Sequence, residues 1–108
     1  MDWIVETLND TVNAELAELP PDMRARFIRT AQLIQSAGLP HVGEPHVKHI
    51  QGPLWEIRLA GKAMIARALY VTAKPRRVVV VRVFVKKTQK TPSREITLAL
   101  QRAKELET

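Results

Sequence analysis

The chain has 108 residues, 45% of them hydrophobic, and carries 17 Lys and Arg against 11 Asp and Glu for a net charge of +6. That length suits one domain with one ordinary core, and the lack of cysteine excludes disulfides and thiolate metal sites and suits a cytoplasmic protein. The N-terminus, Met1-Asp2-Trp3-Ile4-Val5-Glu6, has neither the basic nor the apolar region of a signal peptide, and the longest apolar run, residues 78–81, is far short of the roughly 20 residues that cross a bilayer.

Residues 1–6 read as a short strand. Asn9, Asp10 or Thr11 then caps a helix to about Leu19, since their side-chain oxygens accept backbone N–H groups left over at a helix start. Val12, Leu16 and Leu19 form its apolar face. Pro20-Pro21 stops it, and Pro21 suits the first turn of a second helix, where its missing N–H costs little. Met23, Phe27, Ala31 and Ile34 recur at helical spacing until Gly38 and Pro40 end the pattern. Residues 9–37 thus predict a helical hairpin, with Arg24, Arg26 and Arg29 on its outer face.

After a loop over residues 39–46 the apolar period becomes two. Residues 47–50 predict a short strand and Gln51-Gly52-Pro53 a turn. In residues 54–59, Trp55, Ile57 and Leu59 share one face, read as core, with Glu56 and Arg58 on the other. Residues 64–72 predict a third strand, with Arg67 on the face of Ile65, Leu69 and Val71. Lys74-Pro75-Arg76-Arg77 reads as a solvated turn, and residues 78–85 as a central strand, being the most β-prone stretch. Short turns between these strands imply an antiparallel meander. Thr91-Pro92 opens a last helix, Thr91 as its cap, with Ile96, Ala99, Leu100 and Ala103 as its apolar stripe. The class is therefore α+β: an N-terminal helical hairpin packed on a small antiparallel sheet, one helical layer on one sheet face, and a C-terminal helix, all in a single domain over residues 1–108.

Charge is unevenly placed. Residues 1–20 hold five acids and no Lys or Arg, whereas residues 74–104 hold ten of the 17 basic residues and one acid, Glu95. Such asymmetry points to a polyanion-binding end, set against the plainer alternative of a solvated basic surface.

Two blocks carry a family resemblance. Val47-Lys48-His49-Ile50-Gln51-Gly52-Pro53-Leu54-Trp55-Glu56-Ile57-Arg58 and Phe84-Val85-Lys86-Lys87-Thr88-Gln89-Lys90-Thr91-Pro92 resemble, in order and separation, two motifs of phage-derived HigB-like toxins of the RelE/ParE superfamily. The likeness spans roughly residues 45–105. It implies a RelE-like fold and a type II toxin: a metal-independent, ribosome-dependent endoribonuclease that cuts messenger RNA in the A site and so inhibits translation. It also implies a helix-turn-helix, HigA-like antitoxin, operator DNA met only through that antitoxin, a cytoplasmic location, and neither cofactor nor metal nor membrane. The superfamily includes ParE-type gyrase inhibitors, so a gyrase poison is one alternative and an inactive nucleic-acid-binding relative another.

Metal-free RNA cleavage needs a base for the 2′-hydroxyl, positive charge for the phosphorane and an acid for the leaving 5′-oxygen. The resemblance assigns these tasks to the basic cluster: Arg67 for transition-state charge, Lys87 with neighbouring Lys86 as acid or base, and Arg58 and Lys90 for phosphate positioning. Arg94, Phe84 and His49 complete the expected RNA-binding set. Phe84 reads either as core or as a ring stacked on a base, and His49 either as a proton-transfer group or as a structural hydrogen-bonder. RelE has a tyrosine near its last helix; here residues 72–108 contain neither tyrosine nor histidine, which leaves proton transfer to lysine, to a histidine of residues 41–49, or to the ribosome. His41, His46 and His49 have spacings open to zinc, but without cysteine and with only Glu44 nearby a polar loop is the preferred reading.

Overall fold

The computed structural model describes residues 2–43, 46–62, 64–86 and 90–107. Local chemistry sets most boundaries. After strand β1 (Ile4–Thr7), Asn9 Oδ1 accepts the Val12 N–H at 3.1 Å and caps helix α1 (Asp10–Ala17). Pro20 and Pro21 separate it from α2 (Pro21–Ala37), which ends where Gly38 takes φ 92° and donates its N–H to the Ile34 carbonyl at 2.8 Å. That conformation favours glycine because it has no Cβ to clash. Strands β2 (Val47–Gln51), β3 (Leu54–Ala60), β4 (Ile65–Ala73) and β5 (Arg77–Lys86) follow, then helix α3 (Ser93–Ala103). Thr91, expected to cap α3, does not; the residue before the helix is Pro92, with no side-chain cap.

The class is α+β, as the order of patterns predicts. The strands lie in the order β1-β5-β4-β3-β2. From β2 to β5 they form the expected antiparallel meander, but β1 pairs parallel to β5, Ile4 opposite Arg77 and Thr7 opposite Val80, so the sheet is mixed. Strand β5 is therefore flanked on both sides only as far as Val80. Its register against β4 shifts between Leu69 and Tyr70, which face Arg82 and Val80 and leave Val81 as the extra residue of a β-bulge. A bulge breaks strict alternation: Val79, Val81 and Phe84 all pack on one face, while Val80 and Val83 pack on the other.

The sheet is covered on both faces, not one. Val12, Met23, Phe27 and Ile34 of the hairpin pack on Ile57, Leu59, Ala68, Tyr70 and Val80. On the opposite face α3 lays Ala99, Ile96 and Leu100 against Leu54, Leu69, Val71, Val81 and Phe84. The second layer exists because a helix with a sharp apolar stripe must bury it, and this face offers the remaining apolar strand positions. Trp55 departs from its expected core position. It sits at the sheet rim, one residue into β3, 38% exposed, with its ring edge-on to His49 at 4.9 Å between centroids.

Candidate functional site

Alternation along β3 sends Glu56 to the α3 face, and Arg67 of β4 points the same way. Glu56 stands opposite Leu69 and Arg58 opposite Arg67, so Glu56 and Arg67 are diagonal neighbours. They form an ion pair, Arg67 Nη1 to Glu56 Oε2, with the residues 3% and 1% exposed. A charge so far from water requires a partner, since desolvation alone costs several kcal/mol per ion. The other carboxylate oxygen of Glu56 accepts a hydrogen bond from Thr91 Oγ1 at 2.7 Å. Thr91 thus ties the segment before α3 to the sheet, and its hydroxyl is spent there rather than on a helix cap.

This pair floors a cleft whose walls are Lys48, His49, Ile50, Lys90, Thr91 and Ile96. An adjoining hollow, lined by Lys86, Lys90, Thr91, Pro92 and Ser93, shares Lys90 and Thr91 with it. The β5 bulge matters here: with Val81 as the extra residue, Lys86 falls opposite Ile65 and Phe84 opposite Arg67. Partial burial and then the positive charges of Arg67 and Arg94 pull the Lys86 ammonium below its ordinary value; Glu56 and Glu95 oppose them in part. A lysine so placed is neutral more often than one in water, which proton abstraction requires.

Of the residues expected from sequence, the structure gathers Arg67, Lys86, Lys90 and His49 around the start of α3, with Arg94 exposed on its first turn. Lys87, expected as acid or base, lies outside the described residues. Arg58 is the cross-strand partner of Arg67, yet it lines a different cavity, beside α2. Phe84 is 9% exposed in the α3-side core, with the Arg82 guanidinium 5.7 Å from its ring centroid. The His49 Nε2 is hydrogen-bonded to the Gly52 carbonyl at 2.8 Å, which gives that nitrogen the proton in the neutral ring. The three histidines disperse: His41 lies in the 3-10 turn Leu39–His41, His46 before β2 and His49 on it. Among the described residues no three metal-ligating side chains gather.

The only tyrosine, Tyr70, is buried on the hairpin face, where burial pushes its phenol far above the ordinary range. It is no proton-transfer group for this cleft. Sequence reading missed Glu56 and Thr91 as parts of the site. The available signal was the apolar company of Glu56: Leu54, Leu69 and Val71 share its face, so that face had to be covered too. The edge of β5 beyond Val80 is likewise closed by side chains. Glu15 accepts the Val83 N–H at 3.1 Å, Arg102 donates to the Val81 carbonyl at 2.9 Å, and Arg82 bridges Glu15 and Glu95 at 2.8 and 2.7 Å.

The family described as "Phage derived protein Gp49-like" matches residues 14–104. No curated protein matches the sequence. Among solved structures, a mutant of the Escherichia coli toxin RelE in the free state is similar at 17% identity and a TM-score of 0.67, over 94% of this chain and 98% of that one. The archaeal RelE–RelB complex from Pyrococcus horikoshii contains a chain similar at 20% identity and a TM-score of 0.55, over 77% of this chain and 93% of that one. Identities this low speak for architecture, whereas the family match runs from the second half of α1 through α2, all four meander strands and α3. The chain belongs to the phage-derived Gp49-like family and has the fold of RelE.

Proposed function

We propose that the chain is the toxin of a type II toxin–antitoxin pair and that it cuts messenger RNA in the ribosomal A site without a metal. The observation that carries this reading is the convergence of Lys48, Lys86 and Lys90 over the buried Arg67–Glu56 pair, with the Lys86 ammonium held below its ordinary value. A phosphodiester seated there meets positive charge from several sides, which is what a phosphorane needs. Lys86 takes the proton of the 2′-hydroxyl. The 2′-oxygen attacks phosphorus, and the P–O5′ bond breaks to leave a 2′,3′-cyclic phosphate. The departing 5′-oxygen takes a proton from a second acid, the role assigned to Lys87. Lys90 and Arg94 hold the flanking phosphates, and Arg67 supplies charge from the floor while Glu56 fixes its position.

The antitoxin is proposed as a helix-turn-helix protein that keeps this basic surface from the ribosome. The similar RelE of Pyrococcus horikoshii was solved with RelB, which supports a protein partner. Among the described residues, no helix is long and apolar enough to cross a membrane.

Primer extension on a defined message, in a reconstituted bacterial translation reaction with and without ribosomes, tests the proposal. New 5′ ends within A-site codons should arise only with ribosomes and should vanish in Lys86→Ala and Lys90→Ala. Both changes spare the buried pair, so loss of cutting would not reflect loss of fold. Intact message at an excess of protein over ribosomes would overturn the reading, and gyrase supercoiling would then be the assay to run.

A further inference from the structure

A second basic cleft lies between α2, the end of β3 and the residue before β2. Arg26, Arg29 and Thr30 of α2 form one wall, and His46, Arg58 and Ala60 the other. Arg26 and Arg29 are one helical turn apart and so share a side of α2. The Arg58 backbone N–H donates to the His46 carbonyl at 2.9 Å, which ties the His46 backbone to β3. Among the described residues, no carboxylate lines the cleft. Four arginines elsewhere are paired with acids: Arg67 with Glu56, Arg77 with Glu6, Arg82 with Glu15 and Glu95, Arg102 with Glu15. Among the described residues, no salt bridge joins Arg26, Arg29 or Arg58 to an acid. Three arginines line one hollow, and a ligand with several negative charges offsets their mutual repulsion.

We propose that this cleft is a second binding site for RNA backbone phosphates, held by Arg26, Arg29 and Arg58 with His46 in its wall. Arg58 stands opposite Arg67 in the sheet, so the cleft is one strand from the floor of the first site, and Lys48 of β2 carries positive charge along the edge between them. A strand of RNA following that edge passes from the first cleft to Arg58 and on to Arg26 and Arg29 of α2. Guanidinium forks suit phosphate oxygens, and the arginine stems with Ala60 suit the ribose. The choice of RNA over other polyanions rests on the nuclease reading above; the charge geometry does not.

The test uses the full chain as wild type, R26Q/R29Q, and K74Q/K104Q as a control with the same loss of charge elsewhere. All substituted side chains are exposed, so each variant should melt like the wild type. Binding is measured to a short single-stranded oligoribonucleotide and to a polyglutamate peptide by fluorescence anisotropy and to salt-washed ribosomes by sedimentation, over a range of salt. R26Q/R29Q should weaken RNA binding by about tenfold more than the control and flatten the log–log salt dependence by about 1.4, since each of the two phosphate contacts releases roughly 0.7 of a counterion on a single strand. A loss on both RNAs assigns the cleft to the message strand, and a loss on ribosomes alone assigns it to ribosomal RNA. Equal behaviour of the two variants on both RNAs would overturn the proposal, and so would a loss confined to a polyglutamate peptide, which would make the cleft a site for an acidic polypeptide. Cutting is not read out. A chain that binds RNA here yet cleaves no message would defeat the nuclease reading and leave this site standing.

Discussion

Glu56 and Arg67 are each almost wholly removed from water, and neither tolerates the loss of the other. Removing one partner of such a pair typically costs about 3–5 kcal/mol, because an uncompensated charge remains inside. Glu56→Ala should therefore destabilise the fold by that amount in urea unfolding, whereas E56L/R67M should recover most of the loss and still fail to cleave RNA. A Glu56→Ala cost below about 1 kcal/mol would mean that the pair is hydrated. Lys86 gives a pH signature of defined sign. Its folded value is lowered, so between that value and the ordinary one the unfolded chain binds more protons, and stability rises with pH across the window. Lys86→Met should remove that rise from the melting temperatures measured just below the ordinary lysine value of about 10.4; an unchanged slope would show Lys86 titrating as in water. At this scale the basic members of the site were legible, because Lys86 and Lys90 stand in a recognisable block and Arg67 in the strand between the two blocks. Glu56 was not. With one helical layer assumed, its face of β3 reads as solvent, and only the burial of Leu54 and Leu69 beside it makes that carboxylate an interior group.

Strand β5 illustrates how an element depends on partners far away in sequence. Beyond Val80 it has lost β1, and an open strand edge invites pairing with another chain. The carboxylate of Glu15 and the guanidinium of Arg102 occupy that edge in place of a strand. Glu15→Ala should cost about 1–3 kcal/mol, the penalty of stranding a buried donor and loosening Arg82 and Arg102. It should also raise light scattering at high protein concentration as the bared edge self-associates. Glu15→Gln keeps an acceptor for the Val83 N–H and should do less of both; equal effects would mean that charge alone matters there. The helices were legible almost to the residue, since Asn9, Pro21 and Gly38 act through neighbours in the chain. The parallel pairing of β1 and the bulge at Val81 were not, because both are settled by contacts between distant segments. The bulge governs function as well as shape: by shifting alternation after Val81 it brings Lys86 to the face of Arg67 instead of turning Val85 that way.

The two cores lie back to back on one sheet, and this makes folding and site assembly a single event. Strands β4 and β5 contribute to both: Tyr70 and Val80 to the hairpin side, Leu69 and Val81 to the α3 side. The acidic N-terminal segment serves the same cohesion. Glu6 pairs with Arg77, and Glu15 with Arg82 and Arg102, so the early negative charge is spent on the structural arginines of the C-terminal half while Lys48, Lys86 and Lys90 line the cleft. Ile34 is fully buried in the hairpin core, on the face opposite the proposed active site. Ile34→Ala should cost about 2–5 kcal/mol through lost burial and the cavity it leaves. If the layers are one cooperative unit, helix circular dichroism and the fluorescence of Trp3 and Trp55 should then shift together to one lower transition, as two-state unfolding requires. Cleavage should disappear over the same temperatures, because the Thr91–Glu56 bond that seats the start of α3 depends on a sheet the hairpin holds in place. Separate transitions for the helix and tryptophan signals would show instead that α3 and its layer can leave a folded hairpin and sheet. A partner protein would then have a way to dismantle the site without unfolding the molecule.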